Sequence, residues 1–467
     1  MRTKYPKAVD ISLKMNSIHS PLIEDNRSVS YIKNAMRAYL ARRAATDEYK
    51  SKKKAKRLGN NIIFDAGIDF ANEIKERKEI DRLCRRVYNG LNINKVYKED
   101  SKIKLVRILI ANLLFALSQG KNTVALNKSP NKYPVNRYNF IGYTTLKAIL
   151  DELENEGLIE KEKGKHFQNG KAWLSRIWPT DKLLNMAKST GISIGDDLYK
   201  YEPVELVVLR DENKKYKQYD DTELTNGVRE RLKKANTLNA SYSIWYTDTD
   251  GYRRKLYPSL HAVYNNSSFE LGGRLYTRHG QQQIKRKERK EIFIGSQKGI
   301  EMDFSGYHLM LMYADKSIQF PKDPYTLISD NYELRGILKL ILLRMINSAT
   351  ETQAIRAGNK MLMDDYGMKL ILDSNRLTVR KIIDKFKQKH ERIKEYFFSR
   401  AGLKLMNKDA KIALDIVSHF IDKGIPILPV HDSFIVQAKY STELKQVMES
   451  TYKHHTGGFD CEVKEST

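Results

Sequence analysis

Two aspartates stand where runs that read as buried β-strands come to an end. In "KGIEMDFSGYHLMLMYA" an alternating strand pattern reaches Asp303, and an apolar helix-like run takes over from about His308. In "IPILPVHDSFIV" apolar residues run from Ile425 to Val430, give way to His431, Asp432 and Ser433, and resume at Phe434, as in a buried hairpin with an acid at its turn. An unpaired buried charge costs several kcal/mol or more, so each carboxylate needs a partner. Two such acids on adjacent strands can share divalent cations. Two metals about 3.5–4 Å apart can activate an attacking oxygen and stabilise a leaving one in phosphoryl transfer. Hard oxygen donors without cysteine favour magnesium or manganese, and two such ions are expected at Asp303 and Asp432.

Between the aspartates lies "ELRGILKLILLRMINSA". Arg335 and Lys339 are one helical turn apart and project from one face, and Arg344 and Asn347 extend the polar part of the segment. Such cations suit the β and γ charges of a nucleoside triphosphate while the metals take the α-phosphate. The bland reading makes the aspartates turn or capping acids and the Arg-Lys pair a solvated helix face. Their order along one chain favours the chemical reading.

These residues need a sheet rim and a helix to hold them, which predicts an α+β protein whose antiparallel sheet lies within residues 269–467. Residues 1–100 are basic and helix-forming, with the run "SKKKAKR", and suit either a phosphate-contacting arm or a solvated linker. Within residues 101–185, a helix over 103–118 precedes "YTTLKAILDELENEGLIEKEKG". There Leu146, Ile149, Leu150 and Leu153 form one apolar helical stripe, with Thr144 or Thr145 as the expected N-cap and Gly157 as the stop. Two strand-like runs around a basic turn come next. Helix, turn and basic hairpin in this order resemble a winged-helix DNA-binding domain, and a protein-docking winged helix has the same pattern. Residues 186–268 are Tyr-rich and charged and carry no motif; they form a connecting, thumb-like region.

The chain has 467 residues, 83 Lys and Arg against 57 Asp and Glu, and a formal charge of +26 spread along its length. Such an excess points to a polyanion partner, since cations that neutralise phosphates release condensed counterions. Cys84 and Cys461 are the only cysteines, which excludes a disulfide scaffold and a cysteine-ligated zinc site and suits a reducing cytoplasm. The most apolar windows are interrupted by Arg or Lys and fall short of a membrane span, and no secretory signal opens the chain, so a soluble, DNA-associated protein is expected.

An aspartate on a strand, R-x3-K on a helix and His-Asp in a hairpin resemble motifs A, B and C of the family A DNA polymerases. The phage-type single-subunit RNA polymerases share that palm. The stretch "GGRLYTRHGQQQIKRKERKEIFIGSQKGIEMDFSG" is similar to the run that precedes motif A in the DNA enzymes. The resemblance covers residues 270–440. It implies a polymerase palm with helical fingers, a DNA template and primer, and nucleoside triphosphates as substrates. It also implies that Arg274 meets the primer–template junction, that Gln282 and Arg286 lie near the nucleic acid, and that His431 lies beside the primer terminus.

Departures bear on the sugar. His308 stands where the DNA enzymes place the glutamate that blocks a ribose 2′-OH, and Asn347 replaces motif B's usual tyrosine. His308 can exclude ribonucleotides or hydrogen-bond their 2′-OH, so both residues are expected to contact the nucleotide. Motif C ends in Ser433, as in the RNA polymerases, which removes one carboxylate; Glu301, two residues before Asp303 on the same strand face, is a candidate third acid. The spacing from motif A to motif C implies reduced fingers, and no proofreading-type acidic cluster lies upstream. The expected activity is DNA synthesis by a polymerase or primase-polymerase of a phage, plasmid or integrated element. The alternatives are an RNA polymerase or primase, a non-catalytic winged-helix replication initiator, and a two-metal nuclease.

Overall fold

The structure, a computed structural model, describes residues 65–67, 72–74, 78–93, 98–118, 123–164, 174–192, 199–201, 205–277, 280–321, 324–325 and 332–466. The basic N-terminal run and the basic turn of the upstream hairpin lie outside them. Two compact units share the chain: one includes Tyr325–Lys389, and the other takes in Ile63–Pro324 and His390–Thr467. Mixed helices and mainly antiparallel sheets make this an α+β protein. Among the described residues no helix is long and apolar enough to cross a membrane.

In the larger unit, helices Lys78–Gly90 and Glu99–Ser118 precede strand Thr123–Leu126, helix Tyr143–Asn155 and an antiparallel pair, Ile159–Glu162 with Ser175–Pro179. The predicted stripe is the reason helix Tyr143–Asn155 folds here, because Leu146, Ile149, Leu150 and Leu153 are all buried in one apolar cluster. Its start differs from expectation. Gly142 is the N-cap and makes no side-chain cap, because the helix begins at Tyr143 and leaves Thr144 and Thr145 inside its first turn. Its end is as read: Gly157 takes φ +65°, and the Leu158 amide donates back to the Leu153 carbonyl at 2.9 Å.

The loop before that helix is bolted to residues far downstream. Arg137 donates to Glu205 at 3.1 Å, to Asp221 at 2.8 Å and to the Tyr219 carbonyl at 3.0 Å. Arg229 meets the same Glu205 and Asp221 at 3.0 and 2.9 Å.

The central sheet of the larger unit has seven strands. Its middle strand, Gln297–Phe304, pairs antiparallel with Ser433–Gln437 on one side. On the other side it pairs with Ile292–Ile294 near its start and Val463–Glu465 at its end. Leu428–Val430 completes the predicted hairpin against Ser433–Gln437, with His431 and Asp432 as the two connecting residues. One face of this sheet buries Ile244, Ile292, Ile294, Leu428, Val430 and Ile435 together.

The smaller unit contains four described helices, Tyr332–Asn347, Glu351–Asp364, Tyr366–Ser374 and Val379–Lys389. Leu334, Ile337, Leu338, Ile341, Leu342, Met345 and Ile346 give the first of these its buried face.

Candidate active site

The rim is built from strand register. Asp303 is the Cα partner of Ser433, and the Phe304 amide donates to the Asp432 carbonyl at 3.3 Å. The two sequence-distant acids therefore end adjacent antiparallel strands at the same edge, and both are half-buried. The turn that delivers Asp432 carries backbone strain, since His431 takes φ +60°, a left-handed value uncommon for a side-chain-bearing residue. His431 keeps an exposed face, and its ring meets that of Tyr276 edge-on at 5.7 Å. Desolvation by its neighbours, then the Arg274 and Arg289 cations, lower its pKa; Asp432 pulls the other way.

The hairpin is gripped from behind. Gln281, wholly buried, donates to the Pro429 carbonyl at 2.7 Å, and Gln282 donates to the same oxygen at 3.1 Å and to the Leu275 carbonyl at 3.0 Å. Asn239 on helix Glu223–Ser241 holds both backbone groups of Ile427, at 3.0 and 3.2 Å. Gln282, expected near nucleic acid, thus has its carboxamide nitrogen bound to backbone carbonyls of the sheet. Arg286, expected in the same role, is exposed and donates to the Ser466 hydroxyl at 3.0 Å.

Glu301, the candidate third acid, shares a strand face with Asp303 and is engaged within the sheet. Its carboxylate takes both Arg289 contacts, at 2.9 and 3.0 Å, and accepts the Ser433 hydroxyl at 2.6 Å. Ser433 and Arg289 together therefore engage this carboxylate. Among the described residues no group of three or more His, Cys, Asp or Glu is arranged to hold a metal ion.

Arg274 is the electrostatic hub. Gly272 and Gly273, at φ +80° and +89°, bulge the strand Ser268–Tyr276 immediately before it; a Cβ on Gly272 would lie 2.9 Å from the Val263 carbonyl. Arg274 then reaches helix Gly402–Asp422, where its Nε meets Asp409 Oδ2 at 2.5 Å. Its Nη2 lies 3.0 Å from Nε2 of His308, in the first turn of helix Tyr307–Asp315. Gly306, at φ +70°, makes the sharp passage from the Asp303 strand into that helix.

Asp409 is buried and its pKa is pushed up to about 7, by desolvation above all and by Asp432, against the pull of Arg274. Burial works against the Arg274 charge, but the Asp409 carboxylate holds the guanidinium pKa above its ordinary value. Tyr307, fully buried, is raised well above a normal phenol by burial first and then by Asp409 and Asp432. Asp409 escaped the sequence reading although a signal was there, an acid on the stripe of Leu405, Ile412 and Ile416 that the helix buries.

In the smaller unit Arg335 and Lys339 are both exposed on one face of helix Tyr332–Asn347, and the Arg335 guanidinium lies 5.0 Å from the Tyr325 ring centre. Arg344 is spent on the fold, donating to the Leu340 and Ala357 carbonyls at 2.8 and 3.2 Å. Asn347 is exposed and donates to the Leu343 carbonyl at 2.8 Å.

No family model matches the chain, and no curated protein is similar to it. Among solved structures it is similar to the POL domain of Pol1 from M. smegmatis in complex with DNA primer-template and dNTP. The identity is 14%, the TM-score 0.28, and the match covers 83% of this chain and 68% of that one.

Proposed function

We propose that this chain is a template-directed nucleotidyltransferase, a nucleic-acid polymerase that synthesises DNA, with the rim of Asp303 and Asp432 as its catalytic centre. One observation carries the reading: two acids far apart in sequence end adjacent strands at the same sheet edge, in the register of Asp303 with Ser433. The choice of DNA rests on the run before Asp303, which resembles the DNA enzymes; the serine at 433 favours an RNA polymerase or primase as the second reading.

Asp303 and Asp432 are the residues to hold Mg2+ or Mn2+. Their half-burial at a strand end leaves them within reach of a hydrated cation, and triphosphate oxygens are of the donor type such ions take. Bound there, the ions supply charge neutralisation and activation of an oxygen nucleophile. The chain's own groups do the remaining work. Arg335 and Lys339, exposed on one face of their helix, attract the triphosphate. His431, held in a strained turn, contacts the primer terminus, and Arg274 fixes the strand beside it. The upstream module, read as a winged helix, recruits duplex DNA. Its helix carries Asp151, Glu152 and Glu154, and Lys161 is held by Asp151 at 2.5 Å and Glu154 at 2.8 Å, so phosphate contact falls to its basic flanks.

The deciding experiment is extension of a labelled primer–template with deoxynucleotides or ribonucleotides, in magnesium and in manganese, with and without primer. Wild-type protein extends, whereas Asp303→Ala and Asp432→Ala bind the duplex normally and do not. Equal extension by both variants and wild type would sink the assignment. DNA binding with no incorporation identifies an initiator instead, and degradation without nucleotides identifies a nuclease.

A further inference from the structure

The larger unit holds a cavity that the proposed centre does not use. Its volume is about 490 Å³, its walls are helices Glu223–Ser241 and Gly402–Asp422, and its floor is the hairpin of strands His261–Asn265 and Ser268–Tyr276. Leu275 lines it, whereas Arg274, its neighbour on the strand, reaches for Asp409 instead. Val228, Leu414 and Phe269 make the lining apolar, and Tyr264 meets the Phe269 ring edge-on at 5.1 Å.

Two polar groups in these walls are left over by the fold, although buried polar atoms are ordinarily paired. Asn407 is 6% exposed, and its amide nitrogen donates to the Phe269 and Gly272 carbonyls at 3.0 and 3.3 Å. Two carbonyl partners fix which end of the carboxamide is nitrogen, so Oδ1 is an acceptor, and among the described residues no donor reaches it. Tyr264 is 7% exposed, and among the described residues its hydroxyl has no partner. The hydroxyl end of its ring lies against Gly273, another lining residue, where a Cβ would stand 2.8 Å from Cε1. Burial raises the phenol pKa, so the group is a neutral hydroxyl.

Full charges stay at the mouth and offset one another. Asp415 meets Arg231 at 2.8 Å and His455, on helix Ser441–His455, at 2.7 Å, while Glu223 and Lys411 add one charge of each sign. The space is also kept open at a cost to the helix. Gly227 lies inside helix Glu223–Ser241, where glycine is a poor helix former, yet a Cβ there would meet nothing within 4 Å. Packing does not call for that glycine; the cavity it lines does.

We propose that this cavity binds a neutral heteroaromatic ring carrying an N–H donor beside a ring acceptor, the chemistry of a nucleobase. The ring packs on Tyr264 and Phe269, its N–H donates to Asn407 Oδ1, and its acceptor takes the Tyr264 hydroxyl. Aromatic walls with a few convergent polar groups are the usual make-up of a small-molecule site. The site is separate from the acids at the rim and does not depend on the polymerase reading.

Titration calorimetry on the full-length protein tests this with 1-methyluracil and 9-methyladenine. Each is measured beside a counterpart without an N–H, 1,3-dimethyluracil and 6-dimethylamino-9-methylpurine. At least one base binds saturably, and its donor-free counterpart binds about tenfold more weakly, the scale of one hydrogen bond left unmade in a buried site. Tyr264→Phe, which removes only the hydroxyl, weakens the base about five- to tenfold on the same scale. Gly227→Leu fills the cavity and abolishes binding with no fall in melting temperature. Should that variant fail to fold, Tyr264→Phe still locates the ligand. No binding by either base overturns the proposal, and so does equal binding of the donor-free rings, which marks a merely apolar pocket. Binding that survives in folded Gly227→Leu, or an unchanged affinity in Tyr264→Phe, places the ligand elsewhere and overturns it too.

Discussion

Asp303 and Ser433 face each other across an antiparallel ladder, and the next residue back, Asp432, has its carbonyl bonded to the amide of the residue after Asp303. A one-residue slip of this register would carry Asp303 to the opposite sheet face. The Ser433–Glu301 hydrogen bond, 2.6 Å long, and the double Arg289–Glu301 contact oppose such a slip. Ser433→Ala is expected to lose about 1 kcal/mol of stability, read from denaturant midpoints, with primer extension retained. A variant as stable as wild type would show that this contact contributes nothing.

The hairpin's position depends on two carboxamides that share one carbonyl. Gln281→Ala and Gln282→Ala each remove one of the two bonds to Pro429 and leave the other, so each loss is expected to be about 1 kcal/mol. Hydrogen exchange at the amides of 431–433 should accelerate in both variants. Protection equal to wild type would mean that the neighbouring strand alone holds the turn.

Lys339 and Arg335 are exposed on their helix, Arg335 with its guanidinium beside the Tyr325 ring, so removing them opens no cavity among the helix's buried residues. Lys339→Ala and Arg335→Ala should keep the wild-type melting temperature and raise KM for the nucleotide by about tenfold or more, the scale of a lost charge-assisted contact. Unchanged KM in both would assign the face to solvent.

Close helix packing in the same unit has its own test. A Cβ on Gly358 would stand 2.6 Å from Cγ1 of Val379. Gly358→Ala is expected to destabilise by about 1–3 kcal/mol, and Val379→Ala in the same chain should recover much of that, a coupling measurable in a double-mutant cycle.

Acid should loosen the joint between the loop before helix Tyr143–Asn155 and the start of helix Glu223–Ser241. The Asp221 carboxyl is held below its ordinary value, first by Arg137 and then, against some desolvation, by Arg229. A depressed carboxyl contributes stability that is present above its unfolded pKa and lost as pH falls through the folded one. The urea midpoint should therefore drop on going from about pH 6 to below about pH 4, the range of carboxyl titration, and drop less in Asp221→Asn. Equal acid sensitivity in the two proteins would place the titrating group elsewhere.

The elements to which the proposed chemistry is assigned were legible in the sequence because their signals are local. Alternation up to Asp303, the break at His431 to Ser433, and the spacing of Leu146, Ile149, Leu150 and Leu153 each arise from a two- or 3.6-residue period. The charge of +26 and the Arg335–Lys339 spacing were equally plain. The effect of a partner far along the chain was not. That Arg289 and Ser433 engage Glu301, that Pro429 accepts from Gln282, and that Asp409 meets Arg274 are contacts that no local pattern announces. Periodicity determines which face of a strand or helix a side chain occupies; only the packing of distant segments decides which charge meets it there, since desolvation and pairing are properties of the assembled neighbourhood.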